Sequence, residues 1–379
     1  YSNYTRFYAG LSQLMIALIF FQVTAVIIIL GAELFTNGVE WLGVRLNLSE
    51  GTVGSVLAAV GTALPETLIP FVAIVFFREA SSHEIGLGAI LGAPFMLATL
   101  GFFVTAGAAL LYRRRRETGI RLNIDRGILR RDLGFFVPLY GAAIAVSFAP
   151  TGHWSRPTVA VALVLAYGLY LYLNLRETME GEKDEPLMFN LMWACFPLVA
   201  VPCNRGIYAE RREFITGRQP RLRACVGQVA VALGLIIGGA YQFVHATQAI
   251  TEMVGFSPLV FSLLLAPVAT ELPEKFNSVI WVRQGKDTLS LGNISGAMVF
   301  QSTFPVTLGI LLTDWQFSGM ETGDCALLSA AIALFSALLV IATAGRDRDG
   351  ESTMAPWTLA VGGVWWFAFA AYVVLTKIL

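Results

Sequence analysis

The chain has 379 residues, of which 56% are hydrophobic and only 14% are charged. A soluble chain would carry nearer a quarter charged residues, so this composition excludes an ordinary soluble protein. The formal net charge is zero, and we expect no nucleic-acid partner. Long apolar runs recur from end to end without the alternation typical of a membrane β-barrel, so the sequence predicts an all-α polytopic membrane protein.

A bilayer core of about 30 Å requires about 20 helical residues. On that scale the sequence predicts ten transmembrane helices. They cover residues 11–44, 51–77, 84–112, 133–150, 157–174, 223–253, 256–282, 288–312, 323–344 and 355–378. The apolar segment 187–203 is short and interrupted by prolines, so we interpret it as an interfacial or re-entrant piece.

Basic residues are concentrated in two loops, residues 113–131 and 175–222. The positive-inside rule predicts that both loops are cytoplasmic and that the N-terminus lies outside. The arginine run 113–116 is interpreted as a topology anchor, with anionic membrane lipid as the alternative explanation.

The two halves of the chain resemble each other. Residues 31–66 align without a gap with residues 239–274, and the matches include a threonine, a proline and a glutamate in register. Five helices per copy is an odd number, so the second copy would cross the membrane in the opposite sense. The prediction is two inverted five-helix repeats, 1–174 and 223–379, joined by the linker 175–222. The repeated motifs fall within 31–112 and 239–312.

Two of the predicted helices contain breaks at matching positions. Pro65 and Pro273 remove backbone donors, with Gly61 close to the first and Pro267 close to the second. Unpaired carbonyls persist at membrane depth only where they face protein or a hydrated cavity. Broken helices in inverted repeats are typical of a secondary transporter with its site at mid-membrane, and we expect no enzymatic activity.

Each break is followed by an acidic residue, Glu66 in the first copy and Glu274 in the second. A carboxylate inside a membrane normally faces a polar pathway. Together with Thr62, Thr270 and the freed carbonyls, these acids form a set of hard oxygen ligands. Such ligands suit Ca²⁺, Mg²⁺ or Na⁺, so Glu66 and Glu274 are the predicted metal ligands.

The segment Gly-Thr-Ala-Leu-Pro-Glu at 61–66 carries a resemblance to a known family. The chain resembles the sodium/calcium exchanger superfamily of cation antiporters, which has a G-T-S-L-P-E motif on its second and seventh helices and a G-N-x-x-G-S-N type motif on its third and eighth. The resemblance implies alternating-access exchange of a cation, usually Ca²⁺, against Na⁺, H⁺ or K⁺. It implies that Glu66 and Glu274 are the central ligands and that Thr62 and Thr270 are the motif threonines. The ions would be cargo, and no cofactor is expected.

Several motif positions carry other residue types. Asn293 is the one motif position of the eighth helix that stays polar in register, and it is a candidate cation ligand. The substituted positions are Ala63, Ala89, Ala93, Pro94, Glu271, Ala297 and Met298. Fewer side-chain oxygens imply weaker or fewer ion sites.

Glu271 adds a third acid, and Lys275 follows it by four residues, the favourable order for an ion pair on a helix. If they pair, the site keeps about two net negative charges, which matches one divalent ion. If Lys275 points elsewhere, three crowded acids titrate as a group, which favours proton coupling. A third alternative is a pair that has no role in transport.

Glu33, Asn37 and His245 lie on the first and sixth predicted helices, where they are candidates for a gate or a proton relay. The alternative for His245 is a packing role.

The leading hypothesis is an antiporter that exchanges a divalent cation, Ca²⁺ above all, for H⁺ or Na⁺. The alternatives are a non-transporting sensor or partner subunit on the same fold, which the missing oxygens favour, and a transporter of another cation such as Mg²⁺ or K⁺.

Overall fold

The computed structural model describes residues 2–45, 64–77, 79–178, 222–344 and 353–378. In chain order the helices are α1 (Ser2–Arg45), α2 (Leu64–Val75), α3 (Ala80–Met96), α4 (Phe102–Leu111), α5 (Arg126–Ala145), α6 (Ser155–Thr178), α7 (Leu222–Val254), α8 (Pro258–Thr270), α9 (Leu272–Arg283), α10 (Asp287–Gln301), α11 (Phe304–Leu312), α12 (Gly323–Thr343) and α13 (Trp357–Val373). Two short strands, β1 (Leu122–Asn123) and β2 (Thr353–Met354), pair antiparallel. The segment 187–203, predicted to be interfacial or re-entrant, lies outside the described residues.

Eight segments in the described part of the chain are long and apolar enough to cross a membrane. They are Ser12–Val39, Ala80–Leu111, Arg126–Phe148, Ser155–Asn174, Leu222–Val254, Asp287–Leu312, Gly323–Thr343 and Trp357–Lys377. Leu64–Val75 and Pro258–Val268 are shorter apolar helices. The chain is therefore an α-helical, multi-pass integral membrane protein.

The count of ten spans is not confirmed, and the difference lies at the second and seventh predicted spans. The second is described only from residue 64, as α2. The seventh, 256–282, is two helices, because Glu271 has φ −95° and ψ 12° and separates α8 from α9. The third is continuous from α3 to α4 through a π-helical turn at Leu97–Gly101.

The second Leu-Pro-Glu segment starts a helix, because Pro273 is the second residue of α9. The first Leu-Pro-Glu segment is helical and lies where the described part of α2 begins, with Pro65 as its second residue. A proline in the first turn loses no hydrogen bond, because the N–H groups there have no partner within the helix.

The contacts divide the chain into two compact units. The large unit comprises Tyr1–Ala25, Glu66–Tyr170 and Ala240–Leu379, and the small unit comprises Val26–Pro65 and Leu171–Gly239. The domain boundaries at 174 and 222 remain predictions.

In the small unit, α1 packs closely on the first half of α7. A Cβ on Gly31 would lie 2.8 Å from Cγ1 of Ile236, so no larger residue fits there without a shift. The Gln228 amide donates hydrogen bonds to the Leu34 carbonyl at 2.8 Å and to Oδ1 of Asn37 at 3.0 Å.

In the large unit, α3 packs against α8 through two glycines four residues apart. A Cβ on Gly88 would lie 2.2 Å from the Leu259 carbonyl oxygen, and one on Gly92 would lie 2.2 Å from that of Leu263. Small residues at this spacing allow the backbones of two membrane helices to approach each other closely. The Ser262 hydroxyl fixes the pair by donating 2.7 Å to the Ile85 carbonyl.

A buried ion pair ties the loop after α4 to the start of α10. Both Arg116 guanidinium NH₂ groups lie 2.6 Å from the two Asp287 carboxylate oxygens, and the Asn123 backbone N–H donates to the same carboxylate at 2.7 Å. Neither charged side chain is exposed. One member of the 113–116 run therefore binds a carboxylate inside the protein rather than a lipid headgroup.

Replacing Arg116 by methionine is expected to destabilise the protein by about 3–5 kcal/mol, because it leaves Asp287 buried without its counter-charge. Thermal unfolding of the purified protein in detergent measures the loss. Arg115→Met is the matched control, since Arg115 is exposed in the same loop and should change stability by no more than about 0.5 kcal/mol. Equal effects of the two substitutions would show that the buried pair does not stabilise the fold.

Candidate cation site

The two proline-linked acids have the same local setting. Glu66 lies in the first turn of α2 and Glu274 lies in the first turn of α9. Each residue is only 6% exposed. The N-terminal end of a helix carries a partial positive charge, which stabilises a carboxylate there. In the second copy the Leu-Pro-Glu sequence thus sets both the start of α9 and the position of Glu274.

The Glu66 carboxylate is the most unusual polar group of the site. Both of its oxygens are buried, and neither makes a hydrogen bond within the described residues. Its own backbone N–H is near but not in hydrogen-bonding geometry. A buried carboxylate normally has charged or hydrogen-bonding partners, because its desolvation is costly. These oxygens are therefore available to a ligand.

Three more charged groups lie near Glu66. Its carboxylate interacts electrostatically with Glu274 and Glu271 and, with the opposite sign, with Lys275. The structure thus brings together four of the charged residues that the sequence singled out.

A small cavity lies beside Glu66. The space that the centre of a water molecule can occupy has a volume of about 10 Å³. A cavity of this size has room for about one water molecule or one small ion. The lining residues are Glu66, Ile69, Pro70, Ala89, Ala93, Ala266, Pro267 and Thr270. Two substituted motif positions, Ala89 and Ala93, are among them, so the wall that α3 contributes carries no side-chain oxygen.

Two prolines that line the cavity leave backbone oxygens without their usual helical donor. Pro70 and Pro267 lie inside α2 and α8, and neither can donate to the carbonyl four residues earlier, on Glu66 and Leu263 respectively. The Thr270 hydroxyl donates to the Ala266 carbonyl at 3.3 Å, which leaves the lone pairs of the hydroxyl oxygen available to a ligand.

Glu271 and Lys275 form an ion pair across the break between α8 and α9. Nζ of Lys275 lies 3.1 Å from Oε2 of Glu271 and 3.5 Å from its backbone oxygen. The Gln301 amide donates to the other carboxylate oxygen, Oε1, at 3.3 Å. Of the alternatives that the spacing allowed, the structure therefore contains the paired one.

Asn293 also lies close to a predicted ligand, because its amide nitrogen is 3.4 Å from the Glu274 backbone oxygen. Among the described residues, no three or more His, Cys, Asp and Glu side chains converge as a metal-binding cluster. Any cation here would therefore take only part of its ligands from carboxylates.

The other residues predicted for the site or for a gate are Gly61, Thr62, Glu33, Asn37 and His245. Gly61 and Thr62 lie outside the described part of the chain. Glu33 is exposed, and Asn37 is buried within the small unit. The His245 ring packs edge-on against Phe77 and Tyr241, with centroids 4.8 Å away in both cases. A role in gating for these residues remains a prediction.

Sequence reasoning missed two polar residues. Gln301 gave no signal, because its contact with Glu271 joins positions 30 residues apart. Asp132 is 1% exposed and accepts hydrogen bonds from Ser295 at 2.6 Å and Tyr170 at 3.1 Å. An acid within the first two turns of an apolar helix was a signal that could have found it.

Comparison with known proteins gives a family and several relatives. The family described as sodium/calcium exchanger protein matches residues 16–176 and 225–377. CaxA of Alkalimonas amylolytica, which is named as an antiporter, is 22% identical over 324 residues, or 85% of this chain and 89% of that protein. The sodium/calcium exchanger MaX1 of Methanosarcina acetivorans is 24% identical over 289 residues, or 72% of this chain and 77% of the other.

Solved structures share the fold at lower identity. The H⁺/Ca²⁺ exchanger CAX superposes with a TM-score of 0.62 at 16% identity, covering 95% of this chain and 86% of the other. The sodium-calcium exchanger NCX_Mj superposes with a TM-score of 0.53 at 16% identity, covering 94% and 98%. Because the family match extends over both halves of the sequence, this chain belongs to the sodium/calcium exchanger protein family.

Proposed function

We propose that this protein is a secondary active antiporter that exchanges a divalent cation, Ca²⁺ above all, for H⁺ or Na⁺ by alternating access. Glu66 and Glu274 bind the cation at mid-membrane, with Thr62, Thr270, Glu271 and Asn293 around them. Membership of an exchanger family supports cation antiport.

The observation that carries the proposal is the buried Glu66 carboxylate, which makes no hydrogen bond within the described residues and adjoins a cavity the size of one ion. A buried anion without a partner is costly, and a bound cation or proton removes that cost. The same two occupants are the ones that an antiporter exchanges.

The charges favour a divalent ion. With Glu271 paired to Lys275, the two other acids of the proposed site, Glu66 and Glu274, bring two negative charges, which match one divalent ion. Carboxylate, carbonyl and hydroxyl oxygens are the ligands that Ca²⁺ and Mg²⁺ prefer. The counter-ion is taken from the names of similar proteins, one an H⁺/Ca²⁺ exchanger and two sodium/calcium exchangers.

We further propose two inverted five-helix repeats, with an external N-terminus and cytoplasmic loops at 113–131 and 175–222. The two Leu-Pro-Glu segments support the repeat, because both are helical and each places a buried acid directly after a proline. The concentration of basic residues supports the orientation.

The test is uptake of radioactive calcium by proteoliposomes under an imposed proton or sodium gradient. We expect uptake that requires one of these gradients and that collapses when an ionophore dissipates it. Protein-free liposomes control for leakage. Absence of gradient-dependent flux for Ca²⁺, Mg²⁺ and K⁺ would contradict the antiporter.

A second candidate is a sensor or partner subunit on the same fold. It is favoured by the apolar cavity wall at Ala89 and Ala93. Ca²⁺ takes about six to eight oxygen ligands, so a site with fewer oxygens binds it more weakly. Calcium binding in the purified protein together with no flux in any gradient would support this candidate.

A further inference from the structure

We propose that the Lys275 ammonium group is a tethered monovalent cation, which takes a position beside Glu271 where the site would otherwise need an inorganic ion such as Na⁺ or K⁺. The inference rests on the proposed function, since it assumes that Glu66 and Glu274 hold the transported cation. The inference adds a second cation position, beside Glu271, and assigns the Lys275 ammonium group as the cation that permanently occupies it.

The contacts of the ammonium group are those of a bound monovalent ion. Nζ lies near a carboxylate oxygen and a backbone carbonyl oxygen of Glu271, at the point where α8 ends and α9 begins. Transporters use oxygens at helix breaks to coordinate Na⁺ or H⁺. Here the Glu271 backbone oxygen also accepts a hydrogen bond from the backbone N–H of Lys275 at 3.2 Å, so the carboxylate is the main contact of the ammonium group.

The buried Glu271 carboxylate requires a positive charge beside it. Glu271 is fully buried and Lys275 is 7% exposed, so water does not neutralise the carboxylate. Removing one partner of a buried pair leaves an uncompensated charge, which is strongly destabilising. The Gln301 amide donates a hydrogen bond to Glu271 but brings no charge.

The charged groups around the pair determine what a fixed cation does. Glu66 on α2 lies within electrostatic range of Glu274, Glu271 and Lys275, and the ion pair itself joins only Glu271 and Lys275. A tethered cation cannot leave with the substrate, and its charge stays in the site through the whole cycle. The substrate then neutralises two charges rather than three, and the wild-type protein needs no additional monovalent ion.

The experiment compares thermal unfolding of purified protein in sodium, potassium and choline chloride at equal ionic strength. Lys275→Met retains the Glu271 charge and is expected to gain an additional rise in Tm of about 2 °C in one of the inorganic salts, as for a ligand at about ten times its Kd. The wild type and the neutral pair Glu271→Gln with Lys275→Met should lack this additional rise and show only the response of the transport site itself. A Lys275→Met protein that folds only in sodium or potassium chloride would support the proposal equally.

A second measurement covers the case in which Lys275→Met does not fold in any salt. Glu271→Gln alone leaves Lys275 unpaired beside the substrate, and we expect calcium affinity to fall by about tenfold or more. The neutral pair restores the balance of charge and should recover most of that affinity. A purely structural ion pair predicts no such recovery.

The proposal is overturned if Lys275→Met responds to salts as the wild type does, if the neutral pair gains the same response, or if calcium affinity is equal in Glu271→Gln and in the neutral pair. A calcium-dependent rise in Tm of the wild type reports separately on the proposed function. If the wild type shows no calcium-dependent rise in Tm while Lys275→Met still responds to sodium, the divalent substrate is refuted and the tethered cation is supported.

Discussion

Replacing Glu66 by glutamine is expected to lower gradient-driven calcium flux by about a hundredfold or more. The substitution keeps the shape of the side chain and removes a charge that no described residue satisfies. Loss of one buried ionic ligand costs about 3 kcal/mol, which corresponds to that factor in affinity. Glu274→Gln should have an effect of similar size, because Glu274 has the same local setting at the start of α9.

The same variant should not lose stability. A buried carboxylate without a hydrogen bond costs more to desolvate than an amide, so Glu66→Gln in the absence of calcium should unfold at the wild-type Tm or above it. A gain in stability with a loss of function is the pattern expected at a binding site. Flux and thermal unfolding are measured on the same preparations.

Glu252→Gln is the matched control, because Glu252 is an exposed glutamate in the last turns of α7. Its flux and Tm should equal those of the wild type. Full flux in Glu66→Gln together with Glu274→Gln would refute the assignment of these acids as ligands, whatever the effect on stability.

Gly92→Ala is expected to destabilise the protein by about 2–3 kcal/mol and to abolish flux. The added methyl group would lie 2.2 Å from the Leu263 carbonyl oxygen and 2.8 Å from Cγ of Pro267, so α3 and α8 must separate. Overpacking of this kind costs more than the gain of about 1 kcal/mol in helix propensity. The cavity closes or distorts as well, since Ala93 and Pro267 line it.

Gly107→Ala on α4 provides the control, because a Cβ there would meet nothing within 4 Å. It should leave flux unchanged and raise stability by about 0.5–1 kcal/mol. The measurements are Tm in detergent and uptake in proteoliposomes. If Gly92→Ala behaved like Gly107→Ala, close contact between α3 and α8 would not be needed for either fold or transport.

Local features of the site followed from the sequence because they depend on a few neighbouring residues. A proline lacks a donor, so the sequence predicted breaks at the two Leu-Pro-Glu segments, and α9 begins at the second of them. A lysine four residues after a glutamate lies on the same face of a helix, so the pairing of Glu271 and Lys275 was among the expected alternatives.

Other features joined distant parts of the chain and gave no local signal. The Arg116–Asp287 pair spans 171 residues and the Ser295–Asp132 hydrogen bond spans 163. The arginine run 113–116 was interpreted as a single topology anchor, whereas the fold buries one member of the run. The sequence also predicted ten spans, whereas Glu271 divides the seventh into two helices.

The sequence by itself determined the class of protein, the interruption of the seventh predicted helix near Pro273 and the types of oxygen ligand available. These depend on backbone chemistry and on the length of chain that crosses a bilayer. The tertiary structure alone decided that Glu66 is buried without a hydrogen bond among the described residues and that α3 and α8 touch at Gly88 and Gly92. The physical reason is that an apolar residue satisfies lipid and protein core equally well, so a hydrophobic helix does not encode in its own sequence which of its faces meets a neighbour.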